Sequence, residues 1–395
     1  MQQMRSRVPE SFESQIVLVA ACALGTAGVM IFAMLPLLLG TAADAMSLDD
    51  AQLGLLASVY IGGYTIIAAL SFFWITRIDW RRAFRIGVFC LTSGLLAAAA
   101  LTTYQGVMIG LAIAGLGAGF MHALSVAIIA EMNDADRKFG IKMIPEQAIS
   151  AVLLFLLPTL VIARWGLIGM LIALCGFFLL TLPLASKIPG RGRKQEAIDY
   201  DVDQATIKPP MVFAALLGLL LFFGGIAGIW AFMERFASEG AIDATVAGQL
   251  LAVGMISSAV GPMIPALIGD RYGRVTPLFT AGSVVLLSLL ILVTPISLWK
   301  YGLVLIILPA AWYAGMAYQM GVIAEADVTG RYSVLMTAAL GIGATLGPAT
   351  LGIVKSSFGL APALAIAGVT SIAGIVVSIV IIYRLEGVKT QSANA

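Results

Sequence analysis

Twelve apolar runs divide this chain, most of them 20 to 26 residues long. Twenty residues rise about 30 Å as a helix, the thickness of the hydrocarbon core of a bilayer. Hydrocarbon offers no water to an open backbone, so each run must close its hydrogen bonds internally as a helix. A membrane barrel would instead show shorter segments of alternating polarity. The runs centre in 16–40, 51–75, 84–103, 106–131, 142–163, 165–186, 211–235, 245–269, 276–296, 300–325, 332–354 and 360–383. Composition agrees, with 60% hydrophobic and 11% charged residues. The first fifteen residues are polar without a cleavage pattern, and the first run exceeds a signal-peptide core, so it is expected to stay as a membrane helix.

Twelve spans put both termini on one face. With the N-terminus in the cytoplasm, 19 of the 23 Lys and Arg residues fall on that side, Arg137, Lys138 and Lys142 among them. Only Arg164, Arg235, Lys300 and Lys355 face outward, and the loop 41–50 carries Asp44, Asp49 and Asp50 without a base. The positive-inside rule therefore predicts a multi-pass protein of the inner (cytoplasmic) membrane with both termini cytoplasmic.

The longest polar break, 187–210, mixes Pro, Gly and charge. It reads as a cytoplasmic linker between an N-terminal six-helix bundle, 1–186, and a C-terminal one, 211–395. The two parts match when shifted by 194 residues: Gly54 falls on Gly248, Leu56 on Leu250, Arg77 on Arg271, Glu131 on Glu325 and Arg137 on Arg331. One shift aligns both the second-to-third and the fourth-to-fifth turns. Such repeats mark secondary transporters, whose substrate site lies between the repeats near the midplane.

With these spans, the linker and the turn "ALIGDRYGR" (266–274), the chain resembles the major facilitator superfamily over nearly its whole length. The family's turn pattern GxxxD(R/K)xGR(R/K) is met by Asp270, Arg271, Gly273 and Arg274, with Ala266 replacing its first glycine. The resemblance implies an all-α integral membrane protein of twelve transmembrane helices in two pseudo-symmetric six-helix bundles. It also implies a secondary active transporter working by alternating access, without a cofactor. Arg271 and Arg274 suit the negative end of the eighth span, whereas Asp270 there wants a partner elsewhere. The resemblance supplies one at the start of the fifth span, with Arg137, Lys138 and Lys142, as a latch made only while the cytoplasmic side is closed. The first-half copy departs from the pattern, with Phe72, Thr76 and Asp79 in place of glycine, acid and glycine.

Other family motifs are missing. The fifth span, "AISAVLLFLLPTLV", lacks the antiporter glycines, and Leu111 stands where relatives carry an arginine in the fourth span. The run "GIGATLGPATLG" (341–352) is expected to serve close helix packing with a kink. Gly224, Gly225 and Gly228 would let the seventh span bend, and Trp230 suits the outer interface. Glu234 and Arg235 read as an interfacial pair, with Glu239 four residues beyond Arg235; the sharper reading is an outer gate.

An ionisable residue within a span is a functional candidate. His122, nine residues before Glu131, and Glu146, nine after Arg137, stand at matching depth, about 13 Å from the cytoplasmic surface. With Glu234 they are the proton-coupling candidates; Pro145 would turn Glu146 away from a cavity. Met30, Met34, Tyr60, Tyr64, Trp312, Tyr313, Tyr318 and Gln319 stand in spans that line the cavity of the resembled fold. No base is expected deep in any span, which favours a neutral, weakly acidic or amphiphilic solute. Cys22, Cys90 and Cys175 are isolated, without metal or redox spacing. Nothing suggests a metal, an enzyme, ATP-driven pumping or a nucleic-acid partner. The expected partners are a small-molecule substrate, protons and the bilayer, and the expected state is a monomer. The rival reading is a receptor or scaffold that kept this fold and lost transport.

Overall fold

The computed structural model describes residues 14–75, 77–132, 135–190, 209–268, 271–327 and 335–393. Asp270, Arg331, most of the linker and the side chain of Arg137 lie outside the described residues. The helices run in order as α1 Gln15–Ala33, α2 Leu35–Met46, α3 Asp50–Ala69, α4 Ser71–Trp74, α5 Trp80–Ala100, α6 Tyr104–Ala130, α7 Ala135–Leu157 and α8 Ala163–Leu179. After the linker come α9 Pro209–Ala231, α10 Met233–Glu239, α11 Ala244–Val260, α12 Met263–Ile268, α13 Val275–Val293, α14 Leu298–Ala326, α15 Met336–Phe358 and α16 Leu360–Ala393. No strand occurs among the described residues.

Among the described residues, eleven apolar stretches are long enough to cross a membrane. One of them, Ile141–Leu184, has 44 residues, about 66 Å if straight and twice the hydrocarbon core. Its helix is broken at Gly166, where φ is 55° and ψ −145°, and α8 returns to pack on α5. The stretch therefore corresponds to the expected fifth and sixth spans. The first span is not one helix. It breaks at Met34, and Pro36 starts α2, since proline cannot donate back into the preceding turn.

The repeat seen in the sequence recurs in the contacts. Asp49 caps α3 by accepting a hydrogen bond from the Gln52 amide, 2.8 Å, and Asp243, 194 residues later, caps α11 by accepting from the Thr245 amide, 2.8 Å. Each cap satisfies amides that a helix start leaves open. Gly54 of α3 sits on the Pro348 carbonyl and on Gly352 of α15. Its counterpart Gly248 of α11 sits on the Leu154 carbonyl and on Pro158, just past α7. Leu154 and Pro158 stand 194 residues before Pro348 and Gly352. The pairs α3–α15 and α7–α11 are thus the same contact made twice across a pseudo-two-fold.

Within the first half α6 packs on α1, α3 and α5; within the second α9 packs on α15 and α16, and α14 on α13 and α11. The glycines of 341–352 serve both directions. Gly341 and Gly352 face α3, against Thr65 and the Asp50 carbonyl, while Gly343 and Gly347 face α9 and its Gly224. Lipid tails supply no hydrophobic drive between helices, so close backbone approach is what such small residues contribute. Gly224 and Gly228 serve this packing, and Gly225 meets α16. The expected bend lies beyond them, at Phe232, between α9 and α10.

The turn before α5 fixes the sense of the bundle. The Trp80 amide donates to the Gly190 carbonyl, 2.8 Å, and Arg81 Nε to the Ile188 carbonyl, 2.7 Å. That end of the molecule is the linker end. Asp50, at the opposite end of α3, marks the far end.

Candidate functional site

A cavity of about 270 Å³ lies between the halves, lined by α1, α3, α6 and α7 from one and by α9, α11, α14 and α15 from the other. Its wall reaches from Ala33 and Trp230 to Met143 and Thr337 near the linker end, where both of the latter are exposed. One side is aromatic. Phe32 of α1 stacks on Phe223 of α9 at 6.3 Å and meets Trp312 of α14 edge-on at 6.4 Å; Trp312 lies 5.1 Å from Phe223 and 5.2 Å from Tyr313 between ring centroids. These spacings are those of favourable ring pairs, and the cluster joins the two halves.

The other side is polar. Lys142 Nζ lies 2.5 Å from Glu146 Oε1, one turn apart on α7, with both side chains buried. The pair survives there because α1 has no side chain at Gly25: a Cβ would meet Glu146, Lys142 and Ser125 within 3.0 Å. Ser125 in turn donates to the Ala21 carbonyl, 2.6 Å, tying α6 to α1. Beside the pair stands His122, whose ring lies 5.6 Å from that of Tyr64; Gly28 lets α1 close onto the His122 backbone. Gln147 accepts a hydrogen bond from Ser258 of α11, 3.1 Å, bridging the halves. Tyr60 Oη, Ser150 Oγ, Trp312 Nε1 and His122 Nδ1, all on cavity-lining residues, have no hydrogen-bond partner within the described residues. Buried polar atoms are rarely left so.

The structure sorts the candidates named from the sequence. Tyr60, Tyr64, Trp312, Tyr313, His122 and Glu146 line the cavity, and Pro145 does not turn Glu146 away. Met30, Met34, Tyr318 and Gln319 are buried in helix packing and are not part of this wall. Glu146 takes Lys142 as its ion partner, so Lys142 is no surface base. Lys142 stands at the start of the span Ile141–Leu184 and is nonetheless buried, because a glycine on another helix makes the room. Phe32, Phe223, Ser150 and Ser258 were missed; each lies on a span whose inward face cannot be told from its outward face when both are apolar. Trp230, expected at the interface, is buried and lines the cavity.

The far end of the cavity is closed by charge. Lys355 of α15 reaches Asp50 of α3 at 2.7 Å and Glu239 of α10 at 2.5 Å, and Arg235 Nε stands 3.8 Å from Asp50. The interfacial arrangement expected of Glu234, Arg235 and Glu239 is therefore redistributed: Arg235 turns to Asp50, Glu239 to Lys355, and Glu234 packs on Gly40 of α2. At the linker end, Gly273 makes the turn with φ 63°, a conformation that favours glycine. Arg271 is exposed, and Lys138 is half-buried. Arg274 bonds Glu325 of its own half.

The Major Facilitator Superfamily profile matches residues 17–328. The chain belongs to that superfamily. It is accordingly a secondary transporter of the membrane and not an enzyme. Among solved structures it is similar to a D-xylose–proton symporter, with 15% identity, a TM-score of 0.74, and 94% of this chain and 96% of that one covered. It is also similar to the nucleoside transporter NupG, with 14% identity, a TM-score of 0.69, and 93% and 98% covered. A third is a bacterial homolog to the human lysosomal transporter Spinster, in an inward-facing and unoccupied conformation, with 16% identity, a TM-score of 0.69, and 93% and 95% covered. At such identities the likeness is one of fold. No curated protein matches the chain.

Proposed function

We propose that this transporter moves a small ring-bearing organic solute, neutral, weakly acidic or amphiphilic, in exchange of conformations driven by protons. The observation that carries the reading is Glu146 on the wall of an aromatic-sided cavity between the halves, ion-paired with the buried Lys142 behind that wall. The two charges cancel, so the wall holds no surplus charge for a strongly ionic solute, while the Phe32–Phe223–Trp312 cluster offers ring faces. Breaking a buried pair leaves an uncompensated charge. A proton on Glu146 would free Lys142, and His122 and Tyr64 stand beside them to pass it on. Closure at the far end and exposure at the linker end correspond to an inward-facing state. The residues 1–186 and 211–395 are the moving units, and a single chain suffices because each half contributes to one cavity.

The test is transport in proteoliposomes, with candidate solutes found by thermal shift. Glu146→Gln and His122→Ala should abolish accumulation driven by a pH gradient and spare counterflow. The double variant Lys142→Met/Glu146→Gln, which leaves no orphan charge, should do the same. Accumulation at the native rate in these variants would place coupling elsewhere. A native protein that binds solute without counterflow would instead select the receptor or scaffold reading.

The linker end is the cytoplasmic side on the charge count, with both termini there and the far end outside. A single cysteine at position 195 should then react with impermeant maleimide only after the cells are opened. Labelling in intact cells would reverse the orientation.

A further inference from the structure

A second polar centre lies outside the cavity, at the outer end. Glu234 is 7% exposed, and its carboxyl rests on the backbone of Gly40 in α2, where any Cβ would collide with it. Its Oε2 has no hydrogen-bond partner among the described residues. Tyr301 of α14, fully buried with an unpartnered hydroxyl, and the exposed Asp44 of α2 are within electrostatic reach. Of the bases near it, Lys355 is engaged with Asp50 and Glu239; Arg235, next to Glu234 in the chain and within electrostatic reach of it, has its Nε 3.8 Å from Asp50; and Lys300 donates to Thr294 and the Pro295 carbonyl. Lys355 and Arg235 thus face two anions. Asp44 and Glu234 are further acids, and Glu234, beneath a helix of the opposite half, makes no ion pair within 4.0 Å among the described residues.

A carboxylate held out of water without a counter-charge is strongly disfavoured, and it is relieved by a proton or by access to water. The geometry points to Glu234 as a proton-binding site that Gly40 seals when the outer ends of the halves meet and uncovers when they part. This rests on the alternating-access reading above, and the site is separate from the Lys142–Glu146 pair. The sign follows from linkage. The closed state holds the proton more tightly, so acid outside favours outer closure, and each pH unit shifts the closed-to-open ratio by up to about tenfold. External protons would thus set the outer gate directly, whatever the cavity holds.

The experiment needs no substrate. Spin labels on cysteines at Ala45 and Ala244, both exposed at the outer end on opposite halves, report the outer separation in the full chain in nanodiscs, with the native cysteines replaced by alanine. Between pH 5 and 8 the short-distance population should fall as pH rises. In Glu234→Gln it should dominate at every pH. Gly40→Ala keeps the acid but denies it its seat, and should lower that population at every pH. A native-like pH response in Glu234→Gln overturns the assignment. Two populations that ignore pH in the unsubstituted protein overturn it and leave alternating access standing; a single distance at every pH, in Gly40→Ala too, overturns both.

Discussion

Lys355→Met should open the outer side of the protein. The ammonium is 5% exposed and holds Asp50 of the first half and Glu239 of the second. Removing it leaves Glu239 without a base and Asp50 with only Arg235, 3.8 Å away. Breaking a fully buried pair costs about 3–5 kcal/mol. Glu239 is 38% exposed, so water screens its share, and about 2 kcal/mol is a fairer figure. Because the contact exists only while the outer ends meet, that cost falls on one state, and the outer-open population should rise roughly thirtyfold. Asp270→Asn should act in the opposite sense, by weakening the proposed latch at the cytoplasmic turn. A cysteine at Ala33, on the cavity wall, reads both: labelling from outside should speed up in Lys355→Met and slow down in Asp270→Asn. Equal rates in all three proteins would remove both residues from gating.

What the sequence made legible, and what it did not, divides along the range of the forces involved. Span length and the 194-residue shift are carried by the chain itself, and the caps at Asp49 and Asp243 follow the same register. Charge counting gives an expectation for the side of the linker end because loops are read one at a time. Lys142, four residues from Glu146, reads as the end of a basic loop, and nothing local to it shows that it is buried. What buries it is Gly25, on a helix far away in sequence. Asp50 and Lys355 lie 305 residues apart, and nothing local to either marks them as partners. Trp230 has the chemistry of an interfacial anchor, and only the break at Phe232 and the neighbouring α11 turn it inward. Apolar spans also hide their faces. In a soluble helix the polar side declares solvent, whereas here lipid and core ask for the same residues, so Phe32 and Phe223 could not be told from lipid-facing neighbours.

The glycines of α15 separate the two kinds of contact most cleanly. At Gly347 a Cβ would fall on the Gly224 carbonyl of α9, within the second half; at Gly352 it would fall on the Asp50 carbonyl of α3, across the halves. Both clashes lie well inside 3.0 Å and both are with backbone, which cannot swing aside. Alanine improves intrinsic helix stability over glycine by about 1 kcal/mol, so any loss must come from the contact. Overpacking of this kind costs about 1–3 kcal/mol. If the halves move as units, α15 and α9 stay packed throughout the cycle, while α15 and α3 separate in the outer-open state. Gly347→Ala should therefore lower the melting temperature of the purified protein and leave the Ala33 cysteine labelling pattern unchanged. Gly352→Ala should melt close to the native protein, because an outer-open state free of the clash is available, and its labelling from outside should rise about five- to a hundredfold for the same 1–3 kcal/mol. Should Gly352→Ala instead melt as early as Gly347→Ala, with no change in labelling, the α3–α15 contact would be part of a fixed core, and residues 1–186 and 211–395 would not be the units that move.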